Sequence, residues 1–177
     1  MNCIAKSPYF CMLVQGEKMD KHKIIMVYTD GACSNNPNGP GGWAATLNYK
    51  DKYTVLSGYH TCTTNNRMEL TAVVEALKYL IAKGHTKIII NSDSAYVVNA
   101  INKGWIHDWK EKGWKTKAGK DVANDDLWKE LYDMYLVKDV DIFFNKVAGH
   151  SGNTFNEIAD EHAKMEVERA KLVLKQY

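Results

Sequence analysis

The chain lacks the features that would place it in a specialised class. Its four cysteines, Cys3, Cys11, Cys33 and Cys62, form no CxxC pair and have no histidine pattern beside them, so neither a zinc site nor a disulfide scaffold is indicated. Free thiols in a reducing cytoplasm are the expectation. No segment approaches the ~20 apolar residues of a membrane span. The uncharged stretch 7–16 contains Pro8 and Gln15 and has no basic region followed by a small-residue cleavage site, which argues against a secretory signal. There are no repeats and no low-complexity tracts. The formal charge is +2, from 23 Lys+Arg against 21 Asp+Glu, too small to imply a nucleic-acid partner from bulk composition. Any basic character must therefore be local.

What is present is a chain of 177 residues with 45% apolar content, enough to bury a core and within the usual size of one domain. Residues 1–20 show no periodicity and are expected to form a peripheral leader arm, being too few for a module with its own core. The domain is expected over residues 21–177. Residues 24–28 form a β-branched apolar run suited to a central strand; 42–49 and 53–59 are strand-like and joined by a hairpin turn at 48–52. From Asn66 the period changes to 3.6, with Met68, Leu70, Val73, Leu77, Leu80 and Ile81 on one stripe that ends at Lys83-Gly84. Residues 88–90 read as a short buried strand, and Ser94 as the cap of a helix through Val97, Val98 and Ile101. Strand, helix, strand, helix is a βαβ crossover, expected to be right-handed. Residues 125–137 have helical spacing, 140–147 return to strand, and 154–176 carry a final apolar stripe, with Thr154 and Glu157 spaced as a capping box.

Four acids stand at notable places in this scheme. Asp30 follows the first strand and Asp93 the crossover strand, and open α/β sheets build their sites beyond strand carboxyl ends. Glu69 is expected in the first turn of the long helix, where the dipole favours an anion, and Asp160 lies two turns into the last helix. Each alone is better read as an ordinary cap. Together, without basic partners nearby in sequence, they would repel one another unless a divalent cation sat among them, and oxygen-only ligands suit Mg²⁺ or Mn²⁺.

Residues 103–120 break the pattern: Trp105, Trp109 and Trp114 are interleaved with six lysines, including Lys110 and Lys112, against Asp108 and Glu111. A short helix and then a protruding basic loop are expected. Lysines with aromatic faces fit a groove that tracks a phosphate backbone, although tryptophans also serve to pack a protrusion onto its body. At least one buried tryptophan is expected, with Trp109 at the surface.

The motifs Asp30-Gly31-Ala32-Cys33, TTNNRMEL at 63–70, SDSAYVV at 92–98 and VAGHSGNTFNEIAD at 147–160 resemble type 1 ribonuclease H, in matching order and spacing from about Lys23 to beyond Asp160. The resemblance implies an α/β, ribonuclease H-like fold: a five-stranded mixed sheet, three antiparallel strands plus parallel βαβ strands, flanked by helices. It implies a catalytic site of Asp30, Glu69, Asp93 and Asp160 holding two Mg²⁺ ions, for which Mn²⁺ can substitute. Asp30 would be shared between the metals, one of which orients the attacking water while the other stabilises the departing 3′ oxygen. The activity implied is endonucleolytic hydrolysis of the RNA strand of RNA/DNA hybrids, leaving 5′-phosphate and 3′-hydroxyl ends. His150, otherwise a surface histidine in a glycine-bearing loop, would be an accessory acid and base.

By the same resemblance the 103–120 stretch is the basic protrusion of cellular members. Trp105 and Trp109 would line the DNA channel, Thr64 and Asn124 would grip a DNA phosphate, and Asn36, Asn65 and Asn66 would contact the minor groove, where the 2′-hydroxyl distinguishes RNA. The chain departs from the family pattern at three points. The loop NNPNGPGG after Asp30 is one residue longer than the commoner form, Cys62 stands where many members have an arginine, and Ala95 where many have a glutamine. The last two imply a weaker or rearranged grip on DNA and one lost minor-groove contact. A monomer that binds a hybrid duplex and no membrane is expected. The alternatives are a non-catalytic hybrid-binding module, which would normally have lost an acid, and another nuclease of the same fold, which should lack TTNNRMEL and the protrusion.

Overall fold

The computed structural model of the chain describes residues 5–6, 23–50, 52–149 and 152–176. Its sheet begins with β1, Ala5–Lys6, followed by β2, Ile25–Cys33, β3, Gly39–Tyr49, and β4, Lys52–Thr63. Helix α1, Asn65–Ala82, leads to β5, Lys87–Ser92, and α2, Ala95–Asn102. Then come α3, Trp105–Glu111, α4, Asp125–Tyr135, β6, Asp141–Lys146, and α5, Thr154–Leu174. The sheet order is β1-β4-β3-β2-β5-β6; β5 runs parallel to both β2 and β6, and the other pairs are antiparallel. The five expected strands form the mixed sheet, and the two-residue β1 adds a sixth at its edge by pairing with Tyr59 and His60 of β4.

Strand β2 is central because its β-branched residues bury completely, Ile25 and Val27 among them, between α1 and the rest of the core. It does not stop at Tyr28 as the sequence suggests. Its parallel pairing with β5 ends at Thr29 opposite Ser92, but the antiparallel ladder to β3 continues from Asp30 opposite Ala44 to Cys33 opposite Gly41. The partner strand carries β2 onward, so Asp30 lies within the strand, where one neighbour leaves. Strand β4 is longer than expected for the same reason, since Gly39 of β3 reaches Thr63.

The long helix α1 starts at its cap Thr64, whose hydroxyl accepts from the Arg67 amide, and covers one face of the sheet with Leu70, Val73, Val74 and Leu77. Helix α5 covers the other face with the small residues Ala159, Ala163 and Ala170. The approach is close enough that a Cβ on Gly42 would come within 2.2 Å of the Ala163 carbonyl oxygen. Its cap is Asn153, whose side chain accepts from the Phe155 and Asn156 amides. Thr154, expected as cap, is the first helical residue: an asparagine one position earlier satisfies the same orphan donors. Ser94 caps α2 as read from the sequence. Among the described residues no helix is long and apolar enough to cross a membrane.

Candidate active site

The acids converge at the edge where β2 and β5 part. Asp93 leaves the end of β5, one residue beyond the Ser92 that pairs with Thr29, and Asp30 follows on the neighbouring strand. Glu69 reaches them from α1. It is the fifth residue of that helix, beyond the first turn, and is 6% exposed. Its position is set by packing on β2 at Gly31 instead of by the helix dipole, because a dipole effect fades after the first turn. A Cβ on Gly31 would lie 2.2 Å from the Glu69 amide nitrogen, so only glycine lets the two backbones touch. One carboxylate oxygen from each of Asp30, Glu69 and Asp93 falls within 4.8 Å of the others.

Asp160 stands beside Asp30 from α5 and raises its pKa, but it lies outside that group of three, and its Oδ2 accepts from Lys164 Nζ at 2.6 Å. The sequence suggests no basic partner for these acids. Lys164 follows Asp160 by four residues, one helical turn, and supplies one.

Burial and crowding hold protons on Asp30 and Glu69. Asp30 is pushed up from 3.8 to about 7, first by burial and then by Asp93 and Asp160, against the Gly31 N–H that donates to its Oδ1 at 2.7 Å. Burial, then Asp30 and Asp93, push Glu69 well above the usual carboxylate range. The buried Glu69 Oε2 has no hydrogen-bond partner. An orphaned carboxylate oxygen facing two more acids is what an oxygen-coordinated divalent cation would satisfy, so the residues present fit such an ion. His150 lies outside the described residues, but the loop before it is in place: a Cβ on Gly149 would come within 2.7 Å of Asp93 Oδ2.

The RNase H family model matches residues 22–168. The chain belongs to the ribonuclease H family. Ribonuclease H of Caldicellulosiruptor saccharolyticus is 51% identical over 142 residues, covering 80% of this chain and 94% of that protein. Ribonuclease H of Chlorobium luteolum is 49% identical over 147 residues, with 83% and 97% covered. Among solved structures, LC9-RNase H1, described as a type 1 RNase H with the type 2 active-site motif, superposes with a TM-score of 0.73 at 28% identity, over 86% of this chain and 76% of that one. LC11-RNase H1 in complex with an RNA/DNA hybrid shares the fold, with a TM-score of 0.63 at 20% identity over 82% and 98%.

In this ribonuclease H the residues expected to meet substrate fall into two groups. Near the acids, Asn36 Oδ1 accepts from the Asn65 amide at 3.1 Å, which ties the loop after β2 to the start of α1, and Asn66 is exposed beside them. Thr64 and Asn124, remote in sequence, meet around Arg67: its amide donates to Thr64 Oγ1 at 3.2 Å and its Nη1 to Asn124 Oδ1 at 3.4 Å. The guanidinium is also paired with both oxygens of Asp126, at 2.9 and 2.5 Å.

The second group is on the protrusion. Trp105, Asp108, Trp109, Lys112, Lys115 and Lys117 line one groove. Trp109, expected at the surface, is half-buried, because its ring packs edge-to-face on the fully buried Trp128; Trp105 is the more exposed of the pair. Lys110 points elsewhere, its Nζ 5.6 Å from the Tyr132 ring centre. Three contributors escaped the sequence reading. Arg67 sits inside the quoted TTNNRMEL motif, three residues after the cap Thr64. Tyr96 follows Asp93 by three residues, and Lys164 follows Asp160 by four.

Proposed function

We propose that the chain is an endonuclease that hydrolyses the RNA strand of RNA/DNA hybrids with two Mg²⁺ ions, leaving a 5′-phosphate and a 3′-hydroxyl, with Mn²⁺ able to substitute. The observation that carries this reading is the Asp30, Glu69 and Asp93 group, with its orphaned Glu69 oxygen. Asp30, Glu69, Asp93 and Asp160 would hold the ions. When bound, the ions supply Lewis acidity toward the phosphodiester, favouring a hydroxide-like water and an anionic 3′ oxygen. The chain's own residues do the rest. Carboxylates bind a metal deprotonated, so Asp30 and Glu69 must give up their protons, and the raised pKa of Asp30 links that step to pH. Water oxygen bonds to phosphorus as the bond from phosphorus to the 3′ oxygen breaks. The proton lost by water and the one gained by the 3′ oxygen need a carrier. The placement of Gly149 against Asp93 supports His150 in that accessory role.

Asn36, Asn65 and Asn66 are read as the minor-groove side chains that test for the 2′-hydroxyl. Thr64 and Asn124 are read as the grip on a DNA phosphate, and Trp105 and Trp109, with Lys110 and Lys112, as the DNA-strand channel. The Asp30, Glu69 and Asp93 group is built within one chain, which supports action as a monomer. Cys33 is in no disulfide, which supports a reducing compartment, the cytoplasm. The test is cleavage of labelled RNA/DNA hybrid, duplex RNA, duplex DNA and single-stranded RNA, each with Mg²⁺ or EDTA. Only the hybrid with Mg²⁺ should be cut, at internal positions. Equal cleavage of duplex RNA overturns the reading, and tight hybrid binding without cleavage favours a binding module.

A further inference from the structure

We propose that Tyr96 is a positioning residue: its hydroxyl, opposite Arg67, fixes the Asn124 side chain so that an amide N–H faces a phosphate of the DNA strand. The inference rests on the reading of Thr64 and Asn124 as a phosphate grip.

Asn124 is in the left-handed conformation, with φ of 58°, at the start of α4, yet its side chain makes no capping bond to that helix. It is held from two other sides. Arg67 Nη1 faces one end of the amide, and a guanidinium only donates, so the atom it meets is the oxygen. At the other end Nδ2 donates to Tyr96 Oη at 3.2 Å. That hydroxyl donates to the Ala123 carbonyl at 3.0 Å and also accepts from Trp128 Nε1 at 2.8 Å. With one hydrogen and two lone pairs it is saturated, so it cannot turn away or trade roles.

The flip state of the amide is thus decided by two neighbours that each tolerate only one arrangement. Arg67 is itself pinned by its bidentate pair with Asp126. The consequence is a set of outward donors. One hydrogen of Nδ2 is used on Tyr96 and, among the described residues, the other has no partner. Thr64 Oγ1 accepts from the Arg67 amide, which leaves its own O–H hydrogen to give away. Two donors around a cationic residue match a phosphate oxygen pair. The Tyr96 ring also packs edge-to-face on Trp128, which packs on Trp109. Tyr96→Phe keeps that ring packing and removes the hydroxyl alone.

The experiment walks a single methylphosphonate along the DNA strand of a short hybrid and measures binding of the full chain in EDTA. In the parent, one DNA position should lose affinity by about three- to tenfold, the worth of one hydrogen bond. Tyr96→Phe should bind the unmodified hybrid weaker by about the same factor and show a smaller loss at that position, where the Thr64 hydroxyl remains. Its KM should rise without a matching fall in kcat. Tyr135→Phe, a hydroxyl loss outside the network, should keep the parent's profile. Asn124→Gly removes the amide while accommodating the left-handed backbone, and should blunt the sensitive position too. If Asn124→Gly leaves that position intact, the grip reading itself is overturned. If Asn124→Gly blunts it and Tyr96→Phe does not, Tyr96 is only structural and the present inference fails alone. A fall in melting temperature common to both tyrosine variants, with the parent's profile kept, overturns it as well.

Discussion

Gly31 and Glu69 meet backbone to backbone, with no room for a methyl group between β2 and α1: a Cβ on Gly31 would lie 2.2 Å from the Glu69 amide nitrogen and 2.5 Å from the Met68 carbonyl carbon. This contact delivers a buried glutamate to an aspartate on the adjacent strand. Gly31→Ala must push the helix off the strand, because the atoms met are backbone and cannot rotate aside. Stability should fall by about 1–3 kcal/mol, as for other overpacked cores, read from thermal melts. Cleavage at a temperature where the variant is still folded should fall further, by about a hundredfold, because Glu69 moves away from its partners. A variant with parental activity would show that Glu69 need not be so placed.

Asp30→Asn separates function from stability. Cleavage should fall by about a thousandfold or more, since a charged metal ligand is lost. In EDTA the same change should stabilise the fold near neutral pH. Asp30 titrates at about 7 in the folded protein against 3.8 ordinarily, so between those values the folded state holds more protons than the unfolded chain, and stability falls as pH rises. The asparagine has no such charge to bury. The melting temperature of the variant relative to the parent should therefore climb from about pH 4 to about pH 7, and added Mg²⁺ should narrow the gap by stabilising only the parent. A difference that is flat with pH would contradict the raised pKa.

The strands, the long helices and the order of the acids were legible in the sequence because they are written in local periodicity and in motifs. What was not legible depends on partners distant in sequence. Asp30 was read as following its strand, but β3 carries the strand through to Cys33. Glu69 was read as a first-turn acid, but its place is fixed by Gly31, thirty-eight positions earlier in the numbering. Trp105 and Trp109 looked equivalent in spacing; only Trp128, from the next helix, decides that Trp109 is the half-buried one. Likewise Arg67 could not be seen to join Thr64 to Asn124 until α1 and α4 were side by side. The near neighbour Lys164 was missed for a different reason: i to i+4 pairs are common on helix surfaces and carry little signal alone.

The protrusion lysines should not contribute equally. Lys112 and Lys117 line the tryptophan groove, while Lys115 is paired with Asp121 at 2.5 Å and Lys110 sits on Tyr132. Replacing Lys112 and Lys117 by alanine should weaken hybrid binding and flatten the plot of log affinity against log salt by about one unit per lost phosphate contact. Lys110→Ala should flatten the slope by less, because its ammonium is partly engaged on the Tyr132 ring. Fluorescence anisotropy over a range of KCl concentrations reads both. An unchanged slope in the double variant would make the groove a packing feature only.

Lys164 is a cation the protein already carries beside its site. Lys164 donates to Asp160 Oδ2 at 2.6 Å, and its own pKa is raised chiefly by that bond. An ammonium on this carboxylate occupies one lone pair that a metal would need and adds a positive charge beside the place where a metal would sit. Lys164→Met keeps a side chain of similar length and removes both effects. The pair is on an exposed side of the helix, with Lys164 60% exposed, so solvent screens it and the effect is modest. The Mg²⁺ concentration giving half-maximal cleavage should fall by about two- to fivefold, and the shift should shrink in high salt. Because Asp160 lies outside the 4.8 Å group formed by Asp30, Glu69 and Asp93, the variant also tests whether that acid must turn inward to complete the site. If the Mg²⁺ midpoint stays put or rises, Lys164 helps hold Asp160 in its working position and does not compete with the metal.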